Sequence, residues 1–324
     1  MATSRSWRPS QVLDGPRAAR IEDIPELNDV FSDSFTERYR RDGLTGVRVP
    51  HLNPLVWRYA IRDAADGAFI WRGDKDEIVA FNMVHRSGAE GWMGPLAVRT
   101  EQQAMGAGTE IVRRGIEWLK VHGATTIGLE TMPRTMDNIG FYSGLGFVPG
   151  KLTLTVTLDA TYADKPAPLF GRLSASDKDD ALEQCRAVVS SLQPGYDHTR
   201  EIELTDELSL GDTLLFMDGE RMRGYALCHT APLVEGRTRE ELRVLKLVLA
   251  DTVTLDEAAR SLSDMARRSG TRRVSIRMQG DYESAYQRLI ALRARVRWTD
   301  LRMSLTGYLE RKPATGIVLS NWEI

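Results

Sequence analysis

The sequence predicts an α/β (α+β) protein built of two units of similar topology, on three observations. Helical and strand periodicities alternate along the chain. The order of elements in the first half recurs in the second, and 324 residues exceed the ~250–300 that one hydrophobic core organises. Hydrophobic residues are 42% and charged residues 27% of the total, the balance of a fully folded globular protein.

Residues 1–16 are polar and lack an apolar run, which predicts a disordered leader. The first unit spans 17–160. Asp23 is a capping-type residue ahead of Ile24, Leu27, Val30, Phe31 and Phe35, which have helical spacing. Ala68–Trp71 and Ile78–Val84 flank Gly73-Asp74 and read as a hairpin. A strand ending at Leu96-Ala97-Val98 leads through Gln103-Ala104-Met105-Gly106-Ala107-Gly108 into a helix from near Thr109, with Ile111, Val112, Ile116 and Leu119 on its buried side. Thr126–Thr131 is a strand, and Leu152, Leu154, Val156 and Leu158 alternate with threonines in another.

The stretch 161–170, with Asp164, Pro166 and Pro168, is the predicted linker. The second unit, 171–324, opens like the first, with Arg172-Leu173-Ser174 and a stripe of Leu182, Cys185, Val188, Val189 and Leu192. Thr213–Met217 and Tyr225–Cys228 repeat the hairpin around Asp218-Gly219. Leu245–Ala250 matches the strand ending at Val98, Arg273–Met278 matches Thr126–Thr131, and Leu301, Met303 and Leu305 match the closing strand.

A formal charge of −2 provides no field for a phosphate backbone or an anionic membrane, so nucleic acid and membrane surfaces are not expected partners. No stretch approaches the ~18 apolar residues of a membrane span. Cys185 and Cys228 are the only cysteines and lie far apart, which suggests neither a disulfide framework nor a metal site and fits the cytoplasm.

The strand–Gly loop–helix at 96–109 is where chemistry enters. Free N–H groups at a helix N-terminus, with the macrodipole behind them, suit a pyrophosphate, and Gly106 and Gly108 permit close approach. This loop resembles the Gln/Arg-x-x-Gly-x-Gly/Ala loop of the GNAT superfamily of N-acetyltransferases. Downstream, Asp137-Asn138 and Phe141-Tyr142-Ser143-Gly144-Leu145-Gly146-Phe147 resemble the family's second motif, an Asn followed by an aromatic-Tyr pair and Leu-Gly-Phe.

The resemblance implies two GNAT-like domains, each a mixed, mainly antiparallel sheet flanked by helices, and acetyl-CoA (coenzyme A) as cofactor. It further implies that Leu96, Ala97 and Val98 offer backbone groups to the pantetheine arm, Val98 being the candidate oxyanion donor. Gln103 and the amides of Met105, Gly106, Ala107, Gly108 and Thr109 would hold the pyrophosphate, and Asn138 the arm's reactive end. Tyr142 would protonate the departing thiolate.

For the general base, members of the family that use a carboxylate carry it where this chain has Trp92, so Glu130 on the adjacent strand is the candidate, while Trp92 could line the acceptor pocket. The segment Phe35–Trp57, rich in arginines and aromatics, is read as a lid over the acceptor, with Tyr39 and His51 as substrate residues. Its arginines would favour an acceptor bearing a carboxylate or phosphate beside its amine.

In the second half the equivalent turn, Asp251-Thr252-Val253-Thr254-Leu255-Asp256-Glu257, has no glycine and three acids, so that half is expected to be a degenerate GNAT domain. A basic helix is expected through Arg288, Arg293, Arg295 and Arg297, either a solvated face or a surface for the acceptor site or a homodimer. The function expected is acetyl transfer to a small-molecule primary amine. A non-catalytic acyl-CoA-binding sensor or interaction protein, and a protein N-terminal or lysine acetyltransferase, are the alternatives.

Overall fold

A computed structural model describes residues 13–103, 106–250 and 253–322. The first half runs β1 (Asp14–Ala18), α1 (Ile24–Arg41), α2 (Pro54–Ala64), β2 (Ala68–Arg72), β3 (Ile78–Ser87), β4 (Glu90–Val98), α3 (Ala107–Val121), β5 (Thr126–Thr131), α4 (Met136–Gly144) and β6 (Phe147–Asp159). The second runs α5 (Ala175–Leu192), α6 (Thr199–Glu207), β7 (Gly211–Asp218), β8 (Arg221–His229), β9 (Glu241–Leu249), α7 (Leu255–Arg268), β10 (Arg273–Gln279), α8 (Glu283–Ala291), β11 (Arg295–Leu305) and β12 (Ile317–Ser320). The order confirms the mixed α/β class, with helices packed on a largely antiparallel sheet.

The halves are joined by an exchange of strands. One sheet runs β1-β2-β3-β4-β5-β11-β6-β10-β9-β8-β7, so the closing strand of each half completes the sheet of the other. β11 pairs with β5 through Leu301↔Thr131 and Met303↔Leu129, while β6 pairs with β10 through Val156↔Ile276. The cores follow: Met303 and Leu305 pack with Ile127 and Leu129, and Val156 and Leu158 pack with Val274, Ile276 and Leu262. Burial of those side chains on the partner half, worth about 1.5–3 kcal/mol each, fixes the register across the exchange.

Three expectations need correction. Asp14–Ala18 is a strand on β2, with Arg17 opposite Ile70, so residues 14–16 are not part of a disordered leader; residues 1–12 lie outside the described residues. The lid is short, because α1 continues to Arg41 and α2 begins at Pro54, where the Asn53 side chain caps it by accepting from Leu55 N–H at 3.0 Å. Trp57 at its far end is a core residue whose indole donates to Asn28 at 2.7 Å. The basic helix ends at Ala291, and Arg295 and Arg297 stand on β11; Arg293, at φ 69°, makes the turn between. Among the described residues no helix is long and apolar enough to cross a membrane.

Candidate active site

β4 and β5 run parallel only from Glu90↔Thr126 to Met93↔Leu129. A bulge at Gly94-Pro95 then shifts β4 against β3, so that Val84 pairs with Met93 but Asn82 with Leu96. Bulges bend a strand away from its neighbour, and here Leu96–Val98 leave β5 behind. The wedge that opens is the start of a groove of about 480 Å³ lined by Leu96, Ala97, Val98, Gln103, Gly106, Gly108, Thr109, Asn138 and Tyr142.

Gly106 is the N-cap of α3 at φ 88°, a left-handed conformation that favours glycine, and no side chain caps the helix. The first-turn amides therefore face the groove as an anion site. Gln103 donates to Val98 O at 2.9 Å and accepts from Arg41 at 3.0 Å, so its side chain braces the end of β4 and sets Arg41 at the mouth. Ala107 turns its side chain into the core. Met105 lies outside the described residues.

A second cavity of about 320 Å³ adjoins the groove, and both are walled by Phe35, Arg38, Leu96, Asn138 and Tyr142. Burial pushes the Tyr142 phenol up to about 12, so it stays protonated at neutral pH and can donate. The second cavity also takes Tyr39 and Glu130 from the first half and Trp298, Asp300 and Trp322 from the second. β11 delivers Trp298 and Asp300 through the strand exchange. The chain after β12 delivers Trp322, whose indole donates to Glu90 at 2.7 Å and stacks on Arg302 with 3.4 Å from guanidinium carbon to ring centroid.

Glu130 is a poor base. Burial opposes its ionisation, but Arg277 at 2.7 Å and Arg302 at 3.1 Å, with Thr153 donating as well, outweigh that and hold the carboxyl below its usual range. A carboxylate so held resists taking a proton. Trp92 is not in the cavity: it is buried and stacked on His85 at 4.0 Å. His51 is also outside, at the surface between Asp29 at 3.4 Å and Glu235 at 3.8 Å.

Of the lid's arginines, Arg40 and Arg41 pair with Glu37 and Arg48 pairs with Asp33 at 2.7 Å. Arg38 reaches the cavity. Trp298, Asp300 and Trp322 could not be found from the sequence, because their place depends on which half β11 and the last residues join.

The corresponding region of the second half is closed. β9 and β10 pair from Glu241↔Arg273 to Val244↔Ile276 and then separate, as β4 and β5 do. There β12 fills the opening, with Ser320↔Lys246 to Ile317↔Leu249, held by Tyr282, which donates to Val318 O at 2.9 Å. At the start of α7 the Thr254 hydroxyl accepts from Glu257 N–H at 3.2 Å and Asp256 pairs with Arg288. That N-terminus is already capped by the Thr254 side chain. Asp251 lies outside the described residues.

Residues 25–147 match the family model described as "Acetyltransferase (GNAT) family". The uncharacterized N-acetyltransferase YobR of Bacillus subtilis (strain 168) is 30% identical over 76 residues, 24% of this chain and 31% of that protein, so the chain covers about a third of this curated relative. Solved structures share the fold at lower identity. A candidate acetyltransferase from Pyrococcus horikoshii has a TM-score of 0.68 at 17% identity, covering 99% of this chain and 98% of its own. A tandem GNAT protein from the clavulanic acid biosynthesis pathway has 0.56 at 12% identity, covering 90% and 97%. Over residues 25–147, therefore, the chain carries a domain of the GNAT family of acetyltransferases, and as a whole it has the fold of a tandem GNAT protein.

Proposed function

We propose that the protein is an acetyl-CoA-dependent N-acetyltransferase that transfers acetyl directly to the primary amine of a small molecule. The catalytic unit in this reading is the N-terminal domain, 17–160; the C-terminal domain, 171–324 after a linker at 161–170, is a degenerate relative. The observation that carries the reading is the meeting of groove and cavity at Tyr142 and Asn138.

The residues present fit the cofactor. Free amides at the start of α3 and Arg41 at its mouth suit the pyrophosphate, and the unpaired edge Leu96–Val98 suits an extended arm that adds as a strand. When bound, acetyl-CoA supplies the activated acetyl thioester. Backbone N–H groups of Leu96–Val98, Val98 the first candidate, would stabilise charge developing on the acetyl oxygen. Tyr142 would donate its proton to the sulfur, and Asn138, whose amide donates to Thr131 at 3.4 Å, would orient the reactive end. Glu130 has no proton-accepting part; the ammonium would give one proton to water before attack, and the proton released as the amide forms would return to the Tyr142 oxygen.

Release of free thiol from acetyl-CoA across a panel of amines tests the reading. Turnover that Tyr142→Phe slows supports it. Tight CoA binding with no turnover on any amine would instead identify an acyl-CoA sensor.

A further inference from the structure

The acceptor cavity is aromatic, and its charge is unbalanced. Phe31, Phe35 and Tyr39 face it from α1, and Trp298 and Trp322 from the second half. Asp300 stands on β11 in the same wall with its side chain 2% exposed. Its carboxylate accepts from the Trp298 indole at 3.2 Å and from Arg277 at 3.0 Å. Arg277 also serves Glu130, while Arg302, the other partner of Glu130, is engaged by Glu310 through two bonds of 2.7 and 2.8 Å. Among the described residues, the carboxylates of Glu130, Asp300 and Glu310 therefore share the guanidiniums of Arg277 and Arg302.

Glu130 has both arginines and a threonine, and Glu310 has a two-pronged arginine. Asp300 shares a single one. Arg38, the cation at the far wall, is matched by Asp42 at 2.5 Å and Asp137 at 3.2 Å. A carboxylate kept from water and short of counter-charge takes up either a proton or a cation. Burial, and next to it the charge of Glu130, hold the Asp300 carboxyl above its ordinary value even with Arg277 beside it.

We propose that Asp300 is the charge partner of the acceptor, and that the acceptor is a primary ammonium carried on an aromatic or similarly apolar body, bound in a pocket that neither half forms alone. The arginines of the lid, already paired, do not call for a carboxylate or phosphate on the acceptor. The fate of the amine rests on the acetyl-transfer reading above; its binding does not.

Titration of the CoA-loaded full chain with phenethylamine, followed by tryptophan fluorescence because Trp298 and Trp322 line the pocket, tests this. The controls are 2-phenylethanol, which keeps the body and drops the charge, and phenylalanine, which adds a carboxylate. Phenethylamine is expected to bind ~10-fold or more tightly than either, as a desolvated charge pair should. Asp300→Asn should reduce it to the level of the alcohol with CoA affinity unchanged by calorimetry, and Asp300→Glu should recover part of the loss. Equal binding of the alcohol or of phenylalanine, no binding of phenethylamine to the wild type, or full affinity in a folded Asp300→Asn variant would overturn the proposal. If CoA itself fails to bind, the acetyl-transfer reading falls, and the same titration of the CoA-free chain still decides the pocket.

Discussion

Arg302 of the second half lies 3.1 Å from Glu130 of the first, with its side chain 4% exposed and that of Glu130 fully buried. The pair crosses the strand exchange, so each half neutralises a charge the other has buried. Removing Arg302 leaves Glu130 with Arg277 alone and strips Glu310 of its two-pronged partner. Arg302→Met should therefore destabilise the whole chain by about 3–5 kcal/mol, the range for breaking a buried ion pair, read from urea unfolding.

Acid should act on the same contact. Glu130 is held below the ordinary carboxyl value, so its contribution to stability is fully present above an unfolded value of about 4.3 and is lost as pH falls through the lower folded one. Glu130→Gln should cost stability at pH 7, and the cost should shrink toward strong acid. The acidic limb of the pH–rate profile should stay where it is. Movement of that limb would restore Glu130 as a base.

Tyr142→Phe should lower kcat by ~10²-fold with little change in CoA affinity, as loss of a general acid does. Because the phenol is pushed up to about 12, the wild type should show no alkaline limb from this group below about pH 10. Loss of affinity without loss of kcat would make Tyr142 a packing residue.

Gly128 on β5 offers a probe of the proposed acceptor pocket. A Cβ there would come within 2.1 Å of the Trp322 ring, far inside contact distance. Gly128→Ala should displace Trp322 and raise the acceptor KM while sparing CoA binding. Unchanged acceptor KM in a folded variant would remove Trp322 from the pocket.

The groove proposed for the cofactor was legible in the sequence because its parts are local. Leu96–Val98, Gly106, Gly108 and Thr109 are one strand, loop and helix start, and Asn138 and Tyr142 sit one turn apart on α4, so spacing alone brings each set together. The adjoining cavity, proposed for the acceptor, was not legible. Trp298 and Asp300 reach the cavity only because β11 pairs with β5, and alternation along 301–305 predicts a covered face without saying whose sheet covers it. Trp92 and Glu130 misled for a related reason: position along a strand does not reveal the partner across it, here His85 for one and Arg277 and Arg302 for the other.

Acetyl-CoA titrated into the full chain by calorimetry tests the assignment of the cofactor site to the first half most directly. β12 fills the opening between β9 and β10, and Thr254 and Asp256 occupy the start of α7, so one site per chain is expected. Gly106→Glu should abolish that site: the groove has room for a Cβ at this position, but a left-handed φ strains any side chain and the added carboxylate repels a pyrophosphate. One equivalent bound by the wild type and none by the variant is the expected result; two equivalents, or a full equivalent retained by a folded Gly106→Glu protein, would contradict it.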